Sequence, residues 1–192
     1  MNAKAEQRER THESILDSAC KLLREKGIGG ARVADVMSGI GLTVGGFYAH
    51  FASKEALVDE AIRRTAEAMR AKLFTRILEK PAEARAEVVL KRYLSAAHRD
   101  APETGCPLPA IAGEVSTSKP EHREVVAEQI GMLAEELGMH LGTPSTASAK
   151  RSTALAMIAL MYGGLSLSRA VRGSELSDEI LKACRSYGKG DR

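Results

Sequence analysis

Apolar positions recur at helical spacing along almost the whole chain. Ile15, Leu16, Ala19, Cys20, Leu22 and Leu23 form one i, i+3, i+4 stripe that stops at Gly27, which predicts an amphipathic helix with a glycine end. Val33, Val36, Met37 and Ile40 repeat the pattern over about two turns and close at Gly41. A third short segment opens at the cap residue Thr43, carries Val44 to Phe51, and gives way to a second cap at Ser53. Beyond it the pattern predicts a long helix over 54–80 stopped near Pro81, another over 82–99, a breaker run over 100–105 and an apolar segment over 106–115. Ser118-Lys119-Pro120-Glu121 reads as a capping box that opens a helix with the inner face Val126, Ile130, Leu133, Leu137 and Leu141. A Thr, Ser and Pro linker over 142–148 precedes two closing helices, about 149–172 and 177–187, the last capped by Ser177. The expectation is an all-α chain of about nine helices and no strand, divided into segments 1–53 and 54–192.

Composition narrows this further. Three Phe, four Tyr and no Trp are too few for an aromatic-rich β-sandwich or barrel. A net charge of +3 excludes a polycation, so any nucleic-acid contact depends on where individual cations sit. Cys20, Cys106 and Cys184 are far apart and lack the pairing of a zinc site or a disulfide framework, so no metal and no cofactor are expected. The five histidines, at 12, 50, 98, 122 and 140, belong to no Ser/His/Asp, HExxH or phosphate-loop arrangement, which argues against an enzyme. Met1 to Glu13 is charged, without the apolar run of a secretory signal, and the uncharged stretch Ser152 to Ser168 is short for a bilayer span. A cytoplasmic protein with no membrane partner is expected.

Three short helices in residues 10–52 with a tight Gly41-Leu42-Thr43 turn are the pattern of a helix-turn-helix, in which Gly41 supplies a positive φ and Leu42 is expected to plug the core. The adjacent Gly45 and Gly46 cost about 1 kcal/mol each against Ala in a helix. Close approach of the backbone to a major groove is a physical reason to keep them. Phe47 and Phe51, four apart, are expected to anchor the segment, leaving Tyr48 and His50 outward and Lys54 at a helix N-terminus that attracts phosphate. The run from Gly41 to Leu57, with its Tyr-x-His-Phe-x-x-Lys-Glu-x-Leu core, resembles the DNA-binding domain of TetR/AcrR-type regulators. The resemblance implies phosphate contacts from Tyr48, His50 and Lys54, a capping Thr43 beside a phosphate, and base-edge contacts from Val44, Gly45 and Gly46. Arg32 stands where the family commonly has Ser or Thr, and Val44 where it commonly has Lys. Arg32 is then available to the DNA backbone or minor groove, and Val44 to a thymine methyl.

The resemblance also implies a C-terminal helical domain that binds a small effector and dimerises through its last two helices. The segments Leu160–Val171 and Leu176–Leu181 are similar to such closing helices. The penultimate helix is apolar nearly all round and must be covered, either inside the domain or against a twin; with the resemblance, Leu155, Ile158, Tyr162 and Leu165, and Ile180 and Leu181 of the last helix, are the candidates for a two-fold interface. Met69, Leu73, Phe74, Tyr93, Cys106, Leu108, Met132, Met161 and Tyr162 are the effector-pocket candidates, as adaptable Met and sparse aromatics suit a cavity. Gly105-Cys106-Pro107 sets a thiol near a helix start and is similar to an electrophile-sensing branch of the family. The function implied is a homodimeric regulator of operator DNA, a repressor released by a small molecule. A cysteine-responsive repressor through Cys106 and an activator with the same module are its alternatives.

Overall fold

A computed structural model describes residues 3–117, 120–142 and 146–189. Among them are nine α-helices, joined by 3-10 turns, and no strand, as the apolar periodicity predicts. They are α1 (Ala3–Gly30), α2 (Val33–Ser38), α3 (Lys54–Phe74), α4 (Ala82–Tyr93), α5 (Ala96–Asp100), α6 (Leu108–Thr117), α7 (Pro120–Met139), α8 (Ala147–Ala170) and α9 (Glu175–Lys189). Two compact units are present, Met1–Glu67 with Cys106–Ala127, and Ala68–Gly105 with Glu128–Arg192. The first is larger than the expected segment 1–53, because the apolar faces of α3 and α6 complete its core.

In the first unit the stripe of α1 is buried as expected, with Ile15, Leu16, Ala19, Cys20 and Leu23 enclosed together with Val36, Met37, Leu57, Val58, Ile62 and Ile111. Gly27 ends the regular part of α1 with φ 71° and ψ −169°. α6 packs along α1. The Glu114 carboxylate takes the backbone N–H of Ile28 at 3.1 Å and of Gly29 at 2.6 Å, satisfying donors that no helical carbonyl reaches. α7 is tied to α3 by His122 Nδ1, 2.6 Å from Asp59 Oδ1.

The second unit departs from the sequence expectation at several ends. The helix expected over 54–80 stops at Phe74, followed by a left-handed Arg76 (φ 53°) and a 3-10 turn over Ile77–Glu79. The helix expected over 82–99 breaks at Leu94 and restarts as α5, because Ser95 Oγ accepts the His98 N–H at 3.2 Å and caps a new start. Thr146 caps α8 by accepting the Ala149 N–H at 3.3 Å. Ser177 is not the cap of the last helix: α9 begins at Glu175, and the buried Ser177 hydroxyl donates to Ser168 O at 2.7 Å. The first two residues of the expected capping box, Ser118 and Lys119, lie outside the described residues, and α7 opens at Pro120. By length and hydropathy α8 could cross a membrane. Here it packs against α9, α5 and α4, with Ala154, Met157, Ile158, Met161 and Leu165 buried.

Candidate nucleic-acid interface

The turn after α2 is built as its sequence suggests. Gly41 has φ 72°, a conformation that costs an L side chain about 1–2 kcal/mol. Gly41 N–H donates to Ser38 O at 3.1 Å and Leu42 N–H to Met37 O at 2.9 Å. Leu42 does not plug the core, however. It is 43% exposed, because Met37 and Phe47 already fill that space with no exposed surface of their own.

The segment that follows, Val44–Ala49, is a six-residue 3-10 helix rather than an α-helix. Thr43 holds the N-cap position with extended backbone but its side chain makes no capping hydrogen bond. Phe47 and Phe51 are buried with rings stacked at 5.7 Å, and His12 of α1 stacks on Phe51 at 4.4 Å. This aromatic column holds the segment against α1 while Tyr48, 68% exposed, faces solvent with Val44, Gly45 and Gly46. Neither Gly45 nor Gly46 has a positive φ. A Cβ added at Gly45 would meet only Thr43 Oγ1 at 4.0 Å, and one at Gly46 only Met37 Cε at 3.8 Å. Nothing among the described residues therefore requires glycine at either position.

The remaining expected DNA residues separate. Lys54 opens α3, and Ser53 Oγ accepts the Ala56 N–H at 3.0 Å, as predicted. Arg32 is exposed at the start of α2 and makes no cap bond. His50 is less outward than expected. It is half-buried, with Nδ1 enclosed and lacking a hydrogen-bond partner. Burial first, then the nearby His12 and Arg8, push its pKa down, which favours the neutral ring, whose N–H is a hydrogen-bond donor rather than a charge. Sequence reasoning missed Arg8, whose guanidinium donates to Ala49 O at 3.0 Å, and His12, which also meets Glu60 at 3.2 Å. Both precede the apolar stripe or lie off it, and only long-range packing reveals them.

The second unit holds a cleft of about 600 Å³ whose walls include Met69, Lys72, Leu73, Arg92, Ala97 and His98. Two of the expected pocket residues, Met69 and Leu73, line it. Phe74, Tyr93 and Met161 are buried beside other side chains of the unit, Tyr162 is half-buried and Met132 is 43% exposed, none of them on the cleft. Cys106 and Leu108 belong to the first unit. Cys106 is only 4% exposed, one residue before Pro107, whose carbonyl accepts the first N–H bonds of α6.

Of the expected interface residues, Ile158, Leu165 and Leu181 are buried within the chain itself, in helices that pack on each other. Leu155, Tyr162 and Ile180 remain accessible. They join stripes that the fold leaves open, Leu155, Ala159 and Tyr162 on α8, with the exposed Leu167 further round the helix, and Leu176, Ile180, Ala183 and Tyr187 on α9.

Comparison with known proteins bears on the first unit most directly. Residues 15–61 match the family model for bacterial regulatory proteins of the tetR family. Over 49 residues the chain is 41% identical to the HTH-type transcriptional repressor KstR2 of Mycobacterium tuberculosis, a match covering 26% of this chain and 24% of that repressor. A TetR transcriptional regulator from Chloroflexus aurantiacus superposes with a TM-score of 0.80 at 25% identity, over 96% of this chain and 95% of its own. A TetR-family regulator from Cytophaga hutchinsonii gives 0.80 at 23%, over 96% of each. The helix-turn-helix geometry and the matched segment make residues 15–61 similar to the DNA-binding part of tetR-family bacterial regulatory proteins, and the whole chain shares the all-helical fold of solved TetR-family regulators.

Proposed function

We propose that the chain is a homodimeric transcriptional repressor that reads a pseudo-palindromic operator and leaves it when a small molecule binds the second unit. The observation that carries the DNA reading is the Val44–Ala49 segment. It is pinned from behind by Phe47 and Phe51 and presents Val44, Gly45, Gly46 and Tyr48 to solvent, and its two glycines answer no demand among the described residues. A surface with side chains removed lets base edges or sugar-phosphate come close. Support for a dimer comes from the open apolar stripes of α8 and α9, since an uncharged face of that extent is normally covered. Two recognition segments would then sit about one helical turn of DNA apart. Effector release is favoured over thiol chemistry by the burial of Cys106, which shields the sulfur from attack.

Selection from a random-sequence DNA library with the full chain tests this. The expected outcome is enrichment of an inverted repeat, bound far more tightly than random DNA. On the selected site Lys54→Ala weakens binding to all sequences alike and lowers the salt slope by about one per protomer. Failure to enrich any sequence would sink the operator reading.

A further inference from the structure

The cleft in the second unit has a chemistry that its shape alone does not convey. Its floor is apolar, from Met69 and Leu73 of α3 with Ala97 and Ala101, while its polar wall carries Lys72 and Arg92. No Asp or Glu is among its lining residues. Lys72 Nζ donates to Thr104 O at 3.1 Å, and the Arg92 guanidinium donates to Leu73 O. An ammonium has three protons and a guanidinium five N–H groups, so each cation retains donors beyond these bonds. Neither has a carboxylate partner among the described residues, whereas in the same unit Arg99 is held by Asp100 and Asp178, Arg76 by Glu79 and Lys91 by Glu87. A half-buried guanidinium with no counter-charge is costly unless something supplies one.

His98 completes the wall. Its Nδ1 lies 2.7 Å from Tyr93 O, which can only accept, so Nδ1 carries the proton. Burial outweighs the raising effect of the Tyr93 bond and, with Arg169 and Lys72 nearby, holds the ring's pKa down at about 4. The ring is neutral at pH 7 and leaves the positive charge to Lys72 and Arg92.

From this lining we propose that the cleft takes a small amphipathic carboxylate, its charged head on Lys72 and Arg92 and its hydrocarbon over Met69, Leu73, Ala97 and Ala101. The inference rests on reading the second unit as an effector domain. A volume near 600 Å³ is in the range that encloses such a molecule, and charge-assisted hydrogen bonds from two cations supply the selectivity.

Calorimetric titration of the full-length protein, without DNA, uses three probes of one chain length: decanoate, 1-decanol and decylammonium. Decanoate is expected to bind saturably, once per protomer, about tenfold more tightly than decanol, with decylammonium weakest. Lys72→Met and Arg92→Met each remove about tenfold from decanoate affinity and leave decanol unchanged. Arg92 also holds the end of α3, so the exposed Lys72 is the deciding site if Arg92→Met fails to fold. Equal affinity for decanol and decanoate, full decanoate affinity in Lys72→Met, or no saturable binding of decanoate overturns the inference. Decanoate binding in the expected pattern without release of the selected operator leaves the ligand assignment standing and overturns effector release instead.

Discussion

Gly46 separates what folding needs from what recognition needs. Its backbone is in an ordinary conformation and an added Cβ meets one methionine methyl at 3.8 Å, ordinary contact. Gly46→Ala should therefore leave the protein as stable as the parent or more stable by up to about 1 kcal/mol, through lower chain entropy in the unfolded state. Its affinity for the selected operator should nonetheless fall, and its affinity for random DNA should not. Urea unfolding and gel-shift titration read the two effects independently, and equal loss on both DNAs would remove base readout at this position. His98 gives a residue-scale prediction of a different kind. Its folded pKa, about 4, is below the ordinary 6.5, so the unfolded chain binds the proton more readily. This contribution to stability is intact above about pH 6.5 and is lost as the pH falls toward 4, by on the order of 3 kcal/mol. Thermal melts from pH 7.5 to 5 should fall less steeply in His98→Gln, which keeps a donor for Tyr93 O but does not titrate.

At the scale of elements, the end of α1 and the flank of α6 form one joint. Gly27 turns the chain with φ 71°, presenting the N–H groups of Ile28 and Gly29 to Glu114. A Cβ at Gly27 would lie 1.8 Å from Glu114 Oε1 and 2.8 Å from Ala110 O. Gly27→Ala should cost about 2 kcal/mol or more, from backbone strain and this clash together. Glu114→Ala should cost about 1–3 kcal/mol by stranding two N–H groups. Urea unfolding measures both, and a neutral Gly27→Ala would show that the joint is not structurally required. The same elements show what a linear sequence can reveal. Gly27 ended the regular part of a helix where its apolar stripe stopped, Gly41 supplied the positive φ of the turn although α2 itself ends earlier at Ser38, and the Phe47/Phe51 spacing marked two anchors, because these signals are local to a few residues. Leu42 in solvent, Ser95 restarting a helix, Ser177 inside α9 rather than capping it, and the enclosed Nδ1 of His50 depend on which face meets which neighbour. Glu114, more than eighty residues from its partners, left no sign in the pattern at all. The cleft was legible only through Met69 and Leu73, since its chemistry lies in Lys72, Arg92 and His98, which read along the chain as an ordinary solvated face.

At the scale of the whole molecule, the apolar surface that is left over is what a proposed dimer would cover. α8 carries no charge between Arg151 and Arg169, yet its own fold covers only one side of it, through Ile158, Met161 and Leu165. The other side meets solvent through Leu155, Ala159 and Tyr162, with Leu167 further round the helix, while Leu176, Ile180, Ala183 and Tyr187 continue an i, i+4, i+7, i+11 stripe along α9. A chain of net charge +3 has little long-range repulsion to keep such faces apart. Two copies that share these stripes would bury an isologous four-helix interface. Ala183→Glu tests that arrangement without touching the protomer's core, because Ala183 is exposed in the single chain. The variant should melt within about 0.5 kcal/mol of the parent when both are compared as monomers at high dilution. In sedimentation equilibrium it should shift from dimer to monomer, since a desolvated carboxylate at a two-fold axis region faces its own copy. Operator binding should then fall steeply, because one recognition segment alone reads a single half-site. An Ala183→Glu protein that stays dimeric would put the interface on a different face of the second unit.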